Sequence, residues 1–523
     1  MGMLVTVAAR SDQDDWNIRT ARAMKILLAA VLAFVLAPVL VRAEGWQTSS
    51  PEAQGMSSRE LAGLVEFGIA NGMDSVLVVR HGSIVAEAYY APFAPGMKHR
   101  INSATKSVIG SLVSIALKDG LLKNVDQPVL GFFPERSFAN MDERKKALRL
   151  RHLLDMTSGL EWDEPLSAAS FESLLQMERS PDWVQFILDH PMVREPGAAF
   201  EYNSGNPHVL SAILSKVTGR SALDYARQKL FGPLGIEDVF WRHDPQGVSA
   251  GGAGLYLQPR DMARLGQLWL ADGVWKGERL LAPGWIDSAR HASLEMGLGP
   301  LLRYANLFWS LPAKGVYLAV GYDRQLIAVM PELNVVAVFT GGRRVSTATG
   351  IPSTPKYPLS AVLDRLKAAV KSDGALPEDP AALALLADKT KEVAQEVRTQ
   401  SAPASPLAAA ISGKVYRLQP NPARFSSFSL TFENGEASYA YEVDGQRFGG
   451  PVGLNGLYRI GGHRLYGPSA AKGVWRDDKT FELEVQTPGN DDVGVATLTF
   501  GGTSVSARMA ALGTWIELKG EAD

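Results

Sequence analysis

The sequence predicts an α+β domain followed by a smaller all-β domain, and three observations support this division. Residues 44–372 mix helix-like and strand-like patterns. Residues 373–412 are rich in alanine, proline and charge, which is typical of a linker. From residue 413 to residue 523, short alternating segments are separated by turn signals such as Asn-Gly and Asp-Gly. A chain of 523 residues is long enough for more than one domain.

The elements of the first domain follow from hydrophobic periodicity and from turn signals. A strand-like stretch comes first, then two apolar helices, then a hairpin around a Pro-Glu-Leu-Asn turn. The predicted segments are residues 75–90, 103–117, 209–217, 326–330 and 335–340.

The second domain is predicted to be a barrel or a sandwich, because its strands are short and evenly spaced. It contains no convergent acid and base cluster, so a structural or substrate-shaping role is the default expectation. The predicted strands are residues 414–419, 427–432, 437–443, 481–486, 495–500 and 514–518.

Charge and cysteine content narrow the possible functions. The formal net charge is −2, which gives no indication of nucleic-acid binding. The chain has no cysteine, so disulfides, thiolate metal sites and cysteine nucleophiles are excluded. The eight histidines show no metal-binding spacing, and no metal or cofactor is expected.

The N-terminal region predicts a secretory signal peptide. Lys25 precedes an apolar run at residues 26–41, and small residues lead to a cleavage site after Ala43. A transmembrane anchor is the alternative, but the run is short and contains Pro38. Residues 1–23 are interpreted as an upstream extension. The mature chain is expected to be periplasmic or secreted, with no stable membrane anchor.

The most informative motif is Ser-Ala-Thr-Lys at residues 103–106, which opens the first apolar helix. Residues three apart on a helix lie on one face. The amine of Lys106 can therefore reach the hydroxyl of Ser103 and activate it as a nucleophile. Two decoys are discounted: Ser469 begins a second Ser-x-x-Lys in a strand-rich region, and Ser249 lies in a glycine-rich loop without the strand and helix that a nucleophile elbow requires.

Two further segments offer the other groups that such a nucleophile needs. Tyr202 precedes an apolar helix in a polar loop, and it can act as general base and acid if a lysine depresses its phenol pKa. The alternative is that this loop only caps the helix. Gly321 is expected where substrate passes close to an edge strand. The amides of Tyr322 and Ser103 could then form an oxyanion hole. A plain strand entry is the alternative.

Together these motifs resemble the serine β-lactamase and penicillin-binding protein superfamily, in particular its class C-like branch of esterases, DD-peptidases and 6-aminohexanoate-dimer hydrolases. The resemblance covers residues 46–370, and further support comes from the segments at 151–160 and 254–266. It implies a mainly antiparallel sheet flanked by helices, with a helical lobe and the active site between them. The C-terminal domain resembles an accessory domain of some relatives.

The resemblance also implies roles for individual residues. Ser103 is the acylated nucleophile, Lys106 and Tyr202 share the proton transfers, and Ser103 and Tyr322 supply the oxyanion hole. Ser204 occupies the position where β-lactamases usually carry asparagine. An alternative reading takes Ser204-Gly205-Asn206 as the Ser-x-Asn motif of class A enzymes. Residues 162–164 are further candidates to line the cleft.

The chain departs from the family pattern at its third motif. Ala319 and Val320 stand where β-lactamases carry Lys or His and then Thr. Losing these two groups removes charge-assisted hydrogen bonds to a substrate carboxylate, each worth about 1.5–3 kcal/mol. Arg324 is a candidate substrate-binding cation, with an exposed salt bridge to Asp323 as the favoured alternative.

The sequence therefore predicts a serine hydrolase that acts on small-molecule or short-peptide esters or amides without a cofactor. A DD-carboxypeptidase or weak β-lactamase is the first alternative. A non-catalytic binding protein on the same scaffold is the second.

Overall fold

The computed structural model describes residues 45–166, 171–342, 344–345, 352–353, 359–396, 405–464, 467–490, 493–511 and 514–522. The predicted signal peptide lies outside these residues. Chain contacts separate residues 1–46 from residues 47–523, and the described helices and strands belong to the second unit. Within the described ranges, none of the helices combines the length and the apolar character needed to span a bilayer.

The described helices are distributed through the first 411 residues. They are α1 (Ser58–Ala70), α2 (Thr105–Lys118), α3 (Glu143–Lys146), α4 (Leu150–Leu154), α5 (Glu172–Arg179), α6 (Trp183–Asp189), α7 (Gly205–Thr218), α8 (Ala222–Ala226), α9 (Gly232–Leu234), α10 (Pro259–Leu270), α11 (Trp285–Arg290), α12 (Leu359–Ala369), α13 (Pro380–Val393) and α14 (Leu407–Ile411).

The strands before residue 354 form a large sheet and several small ones. They are β1 (Gln47–Thr48), β2 (Met73–Arg80), β3 (Ser83–Tyr89), β4 (His99–Arg100), β5 (Phe240–Trp241), β6 (Leu255–Leu257), β7 (Val274–Trp275), β8 (Glu278–Arg279), β9 (Leu294–Glu295), β10 (Arg303–Ala305), β11 (Phe308–Leu311), β12 (Val316–Gly321), β13 (Gln325–Met330), β14 (Val335–Gly341), β15 (Arg344–Val345) and β16 (Pro352–Ser353).

The remaining strands form the second domain. They are β17 (Val415–Leu418), β18 (Phe425–Glu433), β19 (Glu436–Val443), β20 (Gln446–Val452), β21 (Arg459–Arg464), β22 (Gly467–Trp475), β23 (Thr480–Gln486), β24 (Val493–Gly501), β25 (Ser504–Ala511) and β26 (Thr514–Ala522).

The large sheet has the order β1-β3-β2-β14-β13-β12-β11-β10-β9. Its neighbours are antiparallel except β1 and β3. The predicted hairpin is confirmed as β13 and β14, and the strand-like stretch 75–90 corresponds to β2 and β3. The predicted antiparallel sheet flanked by helices is therefore confirmed.

One face of this sheet is covered by α1, α12 and α13. Alternate residues of β2, β13 and β14 join Leu64, Leu363 and Leu386 in one buried cluster, as the period of two in a strand requires. Helix α13 lies within the connector predicted at residues 373–412. That part of the connector therefore belongs to the core of the first domain rather than to a free linker.

Helix α10 covers the opposite face and ties α2 to the sheet. The indole Nε1 of Trp269 donates to Ser111 Oγ of α2 at 3.1 Å. The hydroxyl of Tyr317 on β12 donates to the carbonyl of Trp269 at 2.8 Å. All three side chains are buried. These bonds fix the helix that follows Ser103 relative to the strand that ends at Gly321.

The second domain is a closed antiparallel barrel of the ten strands β17 to β26. Each of the six predicted strands corresponds to one of these, and β20, β21, β22 and β25 were not predicted. The turn between β23 and β24 contacts the first domain, because the amide of Arg100 on β4 donates to the carbonyl of Gly489 at 2.7 Å.

A buried arginine joins three parts of the first domain, and we expect it to be essential for stability. Arg80 is 0% exposed. It donates to the carbonyls of Leu333, Gln54 and Ser372 at 3.1, 2.7 and 2.7 Å. Arg80→Met leaves these acceptors unsatisfied and should lower the free energy of unfolding by about 2–4 kcal/mol. Urea unfolding followed by tryptophan fluorescence measures this, and the exposed control Lys371→Met should change it by less than about 0.5 kcal/mol. Equal stability of the two variants would contradict the prediction.

Candidate active site

Ser103 lies in a short 3₁₀ turn, Asn102–Ala104, that leads directly into α2. Asn102 has φ 47°, a left-handed conformation that asparagine tolerates better than most residues. Its side-chain Nδ2 donates to the carbonyl oxygen of Tyr322 at 3.0 Å. The turn that carries the predicted nucleophile is thereby tied to the end of β12.

Lys106 lies in the first turn of α2 and is only 2% exposed. Its Nζ is 2.9 Å from Ser103 Oγ, 2.9 Å from Ser204 Oγ and 2.7 Å from the carbonyl oxygen of Gly252. The contact between Ser103 and Lys106 is the one that the spacing of the motif predicts. All three protons of an ammonium have acceptors at this position.

Ser204 connects Lys106 to a buried carboxylate. Its hydroxyl donates to Glu164 Oε1 at 2.6 Å, and its amide donates to Glu164 Oε2 at 2.8 Å. Trp162 Nε1 also donates to Glu164 Oε2, at 2.7 Å. The sequence marked residues 162–164 only as possible cleft residues. The role of Glu164 as the partner of Ser204 could not be predicted, because the contact joins residues forty positions apart.

These contacts fix the direction of the hydrogen bonds around Lys106. A carboxylate and a carbonyl oxygen only accept hydrogen bonds. Ser204 therefore turns its proton toward Glu164 and offers a lone pair to Lys106, while the carbonyl of Gly252 accepts a second N–H. When Lys106 is neutral, both of its N–H bonds are used in this way, and the lone pair of the amine is directed at Ser103.

Burial of Lys106 favours its neutral form, which can take a proton from Ser103. It lowers the pKa of Lys106 to about 8, against the opposing influence of the Glu164 carboxylate, which raises it. A substantial fraction of Lys106 is then neutral in mildly alkaline solution. A neutral amine with a lone pair on Ser103 has the properties of a general base.

Tyr202 also lies at this site, directly before the loop that begins α7. Its phenol shares a hydrogen bond with Ser103, and Lys106 Nζ lies 4.8 Å from the centroid of its ring. The condition for a general-base role, a phenol pKa lowered by a lysine, is not met. Burial, and then the charge of Glu164, raise the pKa of the phenol above its ordinary value. Tyr202 therefore remains protonated at rest and is suited to donate a proton.

The capping alternative for this loop applies to a different residue. Asn203 Oδ1 accepts from the amides of Gly205 and Asn206 at 2.8 and 3.2 Å, so Asn203 caps α7. Asn206 contributes nothing to the site, since its Nδ2 contacts Met156 Sδ at 3.7 Å in the buried interior. The loop thus uses alternate residues for the helix cap and for the site.

The loop that supplies the Gly252 carbonyl packs unusually closely against the start of α7. A Cβ atom on Gly252 would lie 2.7 Å from the carbonyl oxygen of Ser204, which excludes any other residue without a shift of the backbone. The buried His208 Nε2 pairs with Asp244 Oδ2 at 3.0 Å, and His208 Nδ1 accepts from the amide of Gly251. This pair holds the loop in place.

Gly321 lies against the nucleophile turn. A Cβ atom there would be 2.3 Å from the carbonyl oxygen of Ile101 and 3.2 Å from the amide nitrogen of Ala104. The expectation of an edge strand holds only locally, because β12 as a whole lies between β13 and β11 in the sheet. Its pairing with β11 runs only from Val316 to Leu318, however, so residues 319–321 are paired through β13 alone. Tyr322 follows this segment and is 38% exposed.

Arg324 differs from expectation. The favoured alternative, an exposed salt bridge between Asp323 and Arg324, is wrong, because the two residues are only 4% and 5% exposed. Arg324 Nη2 donates to the carbonyl of Gly342. Both residues have positive φ, at 57° and 71°, in the tight turn between β12 and β13. A role for Arg324 in substrate binding stays a prediction.

The two decoy serines lie away from the site. Ser469 is on β22 of the barrel, where its hydroxyl donates to the carbonyl of Gly461 at 2.6 Å. Ser249 lies in a loop, where its hydroxyl accepts from the amide of Leu223 at 3.1 Å. Neither hydroxyl contacts a lysine in these bonds.

A cleft adjoins Tyr202 and Glu164. Its volume is about 810 Å³. The acidic residues that line it are Glu161, Asp163, Glu164, Glu172 and Glu201. Lysine and arginine are absent from the described residues that line it. Among the residues that the structure describes, no group of His, Asp and Glu is arranged to hold a metal ion.

A buried lysine on a serine hydroxyl, next to a tyrosine and beside an antiparallel sheet, is the arrangement of a serine hydrolase of the β-lactamase and transpeptidase type. The chain belongs to the β-lactamase family, because the family model described as Beta-lactamase matches residues 52–349. The predicted resemblance is confirmed.

Three comparisons illustrate this relationship. The chain is 28% identical over 229 residues to 6-aminohexanoate-dimer hydrolase from Paenarthrobacter ureafaciens, covering 41% of this chain and 56% of the relative. It is 28% identical over 156 residues to monacolin J acid methylbutanoyltransferase from Aspergillus terreus, covering 27% and 38%. It thus spans about half of the first relative and less of the second. A solved structure from Bacillus anthracis assigned as a 6-aminohexanoate-dimer hydrolase aligns with TM-score 0.52 and 20% identity, over 64% of this chain and 90% of that one, which supports the fold.

The lowered pKa of Lys106 predicts how activity depends on pH. If the neutral amine is the base, kcat/KM rises as Lys106 loses its proton, with a midpoint near pH 8. The rate of p-nitrophenyl acetate hydrolysis, corrected for spontaneous hydrolysis, measures this limb. Lys106→Arg should abolish it, since a guanidinium stays protonated. A rate that is flat between about pH 6 and about pH 9 would contradict the assignment.

Glu164 is expected to act through Ser204 and Lys106 rather than on substrate. Glu164→Gln removes the charge that raises the Lys106 pKa, so the midpoint of the pH limb should move below 8. The new amide can donate to Ser204 and reverse its hydrogen bond, so kcat should fall about tenfold or more with little change in KM. Glu161→Gln, an exposed residue of the same cleft, is the matched control. Identical profiles for the two variants would refute the role of Glu164.

Proposed function

We propose that this protein is a serine hydrolase that cleaves esters or amides through an acyl-enzyme on Ser103. The observation that carries the proposal is the hydrogen bond between Lys106 Nζ and Ser103 Oγ, formed by an amine whose pKa is lowered to about 8. An activated serine hydroxyl beside a second proton donor is the minimum set for covalent acyl transfer.

Acylation begins with neutral Lys106 taking the proton of the Ser103 hydroxyl as Oγ bonds to the substrate carbonyl carbon. The negative charge on the carbonyl oxygen would be held by the amides of Ser103 and Tyr322. As the bond to the leaving group breaks, Tyr202 protonates the departing oxygen or nitrogen and regains a proton from the Lys106 ammonium. The raised pKa of Tyr202 favours such a relay over a resting phenolate.

Deacylation repeats these steps with water as the nucleophile. Water gives its proton to the Lys106 and Tyr202 pair, its oxygen bonds to the acyl carbon, and Ser103 leaves with a proton restored to Oγ. The names of the two curated relatives describe transfer of an acyl group, in one case to water and in the other to a different acceptor. Both reactions are compatible with one acyl-enzyme intermediate.

The substrates proposed are neutral or cationic small molecules or short peptides, rather than compounds with a carboxylate beside the scissile bond. Ala319 is fully buried in the sheet and provides neither charge nor hydroxyl at the third motif. The cleft next to Tyr202 is acidic, so it repels an anion. These features disfavour the alternative of a DD-carboxypeptidase or an efficient β-lactamase.

The proposed setting is the periplasm or the extracellular space. It rests on the signal-peptide pattern at residues 24–43. We propose no cofactor, nucleic acid or membrane anchor for the reaction. The contact of Lys106 Nζ with Ser103 Oγ at 2.9 Å, together with the hydrogen bond between the Tyr202 phenol and Ser103, argues against the second alternative, a binding protein without catalysis.

Substitution of the nucleophile tests the proposal. Ser103→Ala should lower p-nitrophenyl butyrate hydrolysis by at least about 1,000-fold, because Lys106 then has no hydroxyl to activate. Ser469→Ala and Ser249→Ala should retain the activity of the unsubstituted chain. Mass spectrometry of the protein with a slow ester should find the acyl group on Ser103. An equal loss in Ser249→Ala, or an adduct at another serine, would overturn the assignment.

Two labelling experiments distinguish the alternatives. Stable labelling by a fluorescent penicillin would support the cell-wall enzyme. A complete lack of labelling by fluorophosphonates and β-lactams, in a folded protein, would support the binding protein. The proposed hydrolase reacts with the fluorophosphonate at Ser103 and not stably with the penicillin.

A further inference from the structure

The barrel encloses an apolar cavity. The volume open to the centre of a water-sized sphere is about 90 Å³. A single water molecule needs about 10–15 Å³ on the same measure, so the cavity is larger than a packing defect. Seven of the ten strands contribute to its wall. The lining residues that the argument uses are Phe425, Tyr441, Leu483, Ala496, Ala507 and Met509.

The cavity is confined to one end of the barrel. At the other end, aromatic rings fill the interior: the ring centroids of Trp475 and Phe481 are 5.1 Å apart, and those of Tyr416 and Phe500 are 5.6 Å apart. Ile411 of α14 is buried in the same cluster. The open space therefore lies at the end where β23 turns into β24.

The cavity is only partly enclosed, and several of its inward-facing residues are less buried than its deep wall. Leu483 is buried at 3% exposure, as expected for the deep wall. Phe425, Tyr441, Ala496 and Met509 also line the cavity, yet each is only half-buried. Side chains that face the interior and still contact solvent mark an opening at this end.

We propose that this end of the barrel binds a single unbranched aliphatic chain, such as the tail of a fatty acid or fatty alcohol. No charged side chain lines the cavity among the described residues, so a charged group could not be desolvated there. Apolar cavities of this kind stay dry and take up apolar ligands. The space is small for a ring system of drug size, and a slender chain fits it better. Its polar head would remain at the half-buried mouth.

The position of the cavity relates it to the first domain. The turn that joins β23 to β24 is the one whose Gly489 carbonyl accepts from the amide of Arg100. Arg100 lies three residues before Ser103. An aliphatic chain would thus be held at the end of the barrel that contacts the strand leading to the nucleophile. The binding itself does not depend on the proposed hydrolysis.

A fluorescent probe tests this site in the full chain. trans-Parinaric acid, an unbranched polyene fatty acid that brightens in apolar surroundings, should bind saturably with one probe per chain. Decanoate and decan-1-ol should both displace it, whereas acetate should not, because the aliphatic chain and not the head is recognised. Displacement by decanoate alone would assign recognition to the carboxylate and overturn the proposal.

A matched pair of variants locates the probe. Ala507→Phe fills the cavity and should weaken binding about tenfold or more, while Ser506→Phe, on the exposed side of the same strand, should change it by less than about twofold. Near-ultraviolet circular dichroism verifies that both variants fold. If Ala507→Phe does not fold, Ala496→Leu and the exposed Thr499→Leu provide the same comparison on β24. Equal weakening within a pair would overturn the proposal.

The nucleophile variant separates this site from the active site. Ser103→Ala, and the unsubstituted chain after reaction with a fluorophosphonate, should both bind the probe as before. Loss of probe binding in either sample would place the probe in the active-site cleft and refute the barrel site. Non-saturable binding would also refute it, since that result indicates adsorption to the surface.

Discussion

The burial of Lys106 is the constraint on which the active site depends. An amine that is removed from water needs a hydrogen-bond acceptor for each of its N–H bonds, because burial without such partners is very costly. The structure provides three acceptors, which come from the 3₁₀ turn before α2, from the loop before α7 and from the loop at Gly252. The same burial lowers the pKa of Lys106 to about 8. One desolvated amine thus links the packing of three segments to the chemistry of Ser103.

A second layer of residues keeps these acceptors in place. Glu164 orients the Ser204 hydroxyl, and the His208 and Asp244 pair supports the loop that presents the Gly252 carbonyl. Because the carboxylate and the carbonyl accept only, the network has one favourable arrangement of protons around a neutral lysine. Polar groups that are fully satisfied in this way hold a single geometry, which general-base catalysis requires.

Local rules predicted much of the fold and of the site. Helical spacing predicted the contact of Ser103 with Lys106, and turn chemistry predicted the hairpin of β13 and β14. The lowered pKa that a general-base role for Tyr202 required is not found, because burial and the Glu164 carboxylate raise this pKa, and burial depends on the whole fold. Glu164 was predicted as a cleft residue, but its contact with Ser204 could not be predicted, since the two residues are distant in sequence. In the barrel, β20, β21 and β22 were missed because their glycines, and the prolines of β20 and β22, have low β-propensity, which pairing with neighbours overrides.

The proposed hydrolysis and the proposed binding of an aliphatic chain would divide polar and apolar recognition between the two domains. The cleft beside Tyr202 is acidic and offers no cation for a substrate carboxylate among its described lining residues. The described residues that line the barrel cavity carry no charge, at the end that contacts β4. A barrel whose only task is to support β4 would gain from a filled interior, since empty apolar space forfeits packing interactions. Aromatic rings fill its core at the far end, whereas at the near end the rings of Phe425 and Tyr441 stand around an open space. This asymmetry is easier to explain if the near end has been kept open for a ligand than if the barrel serves stability alone.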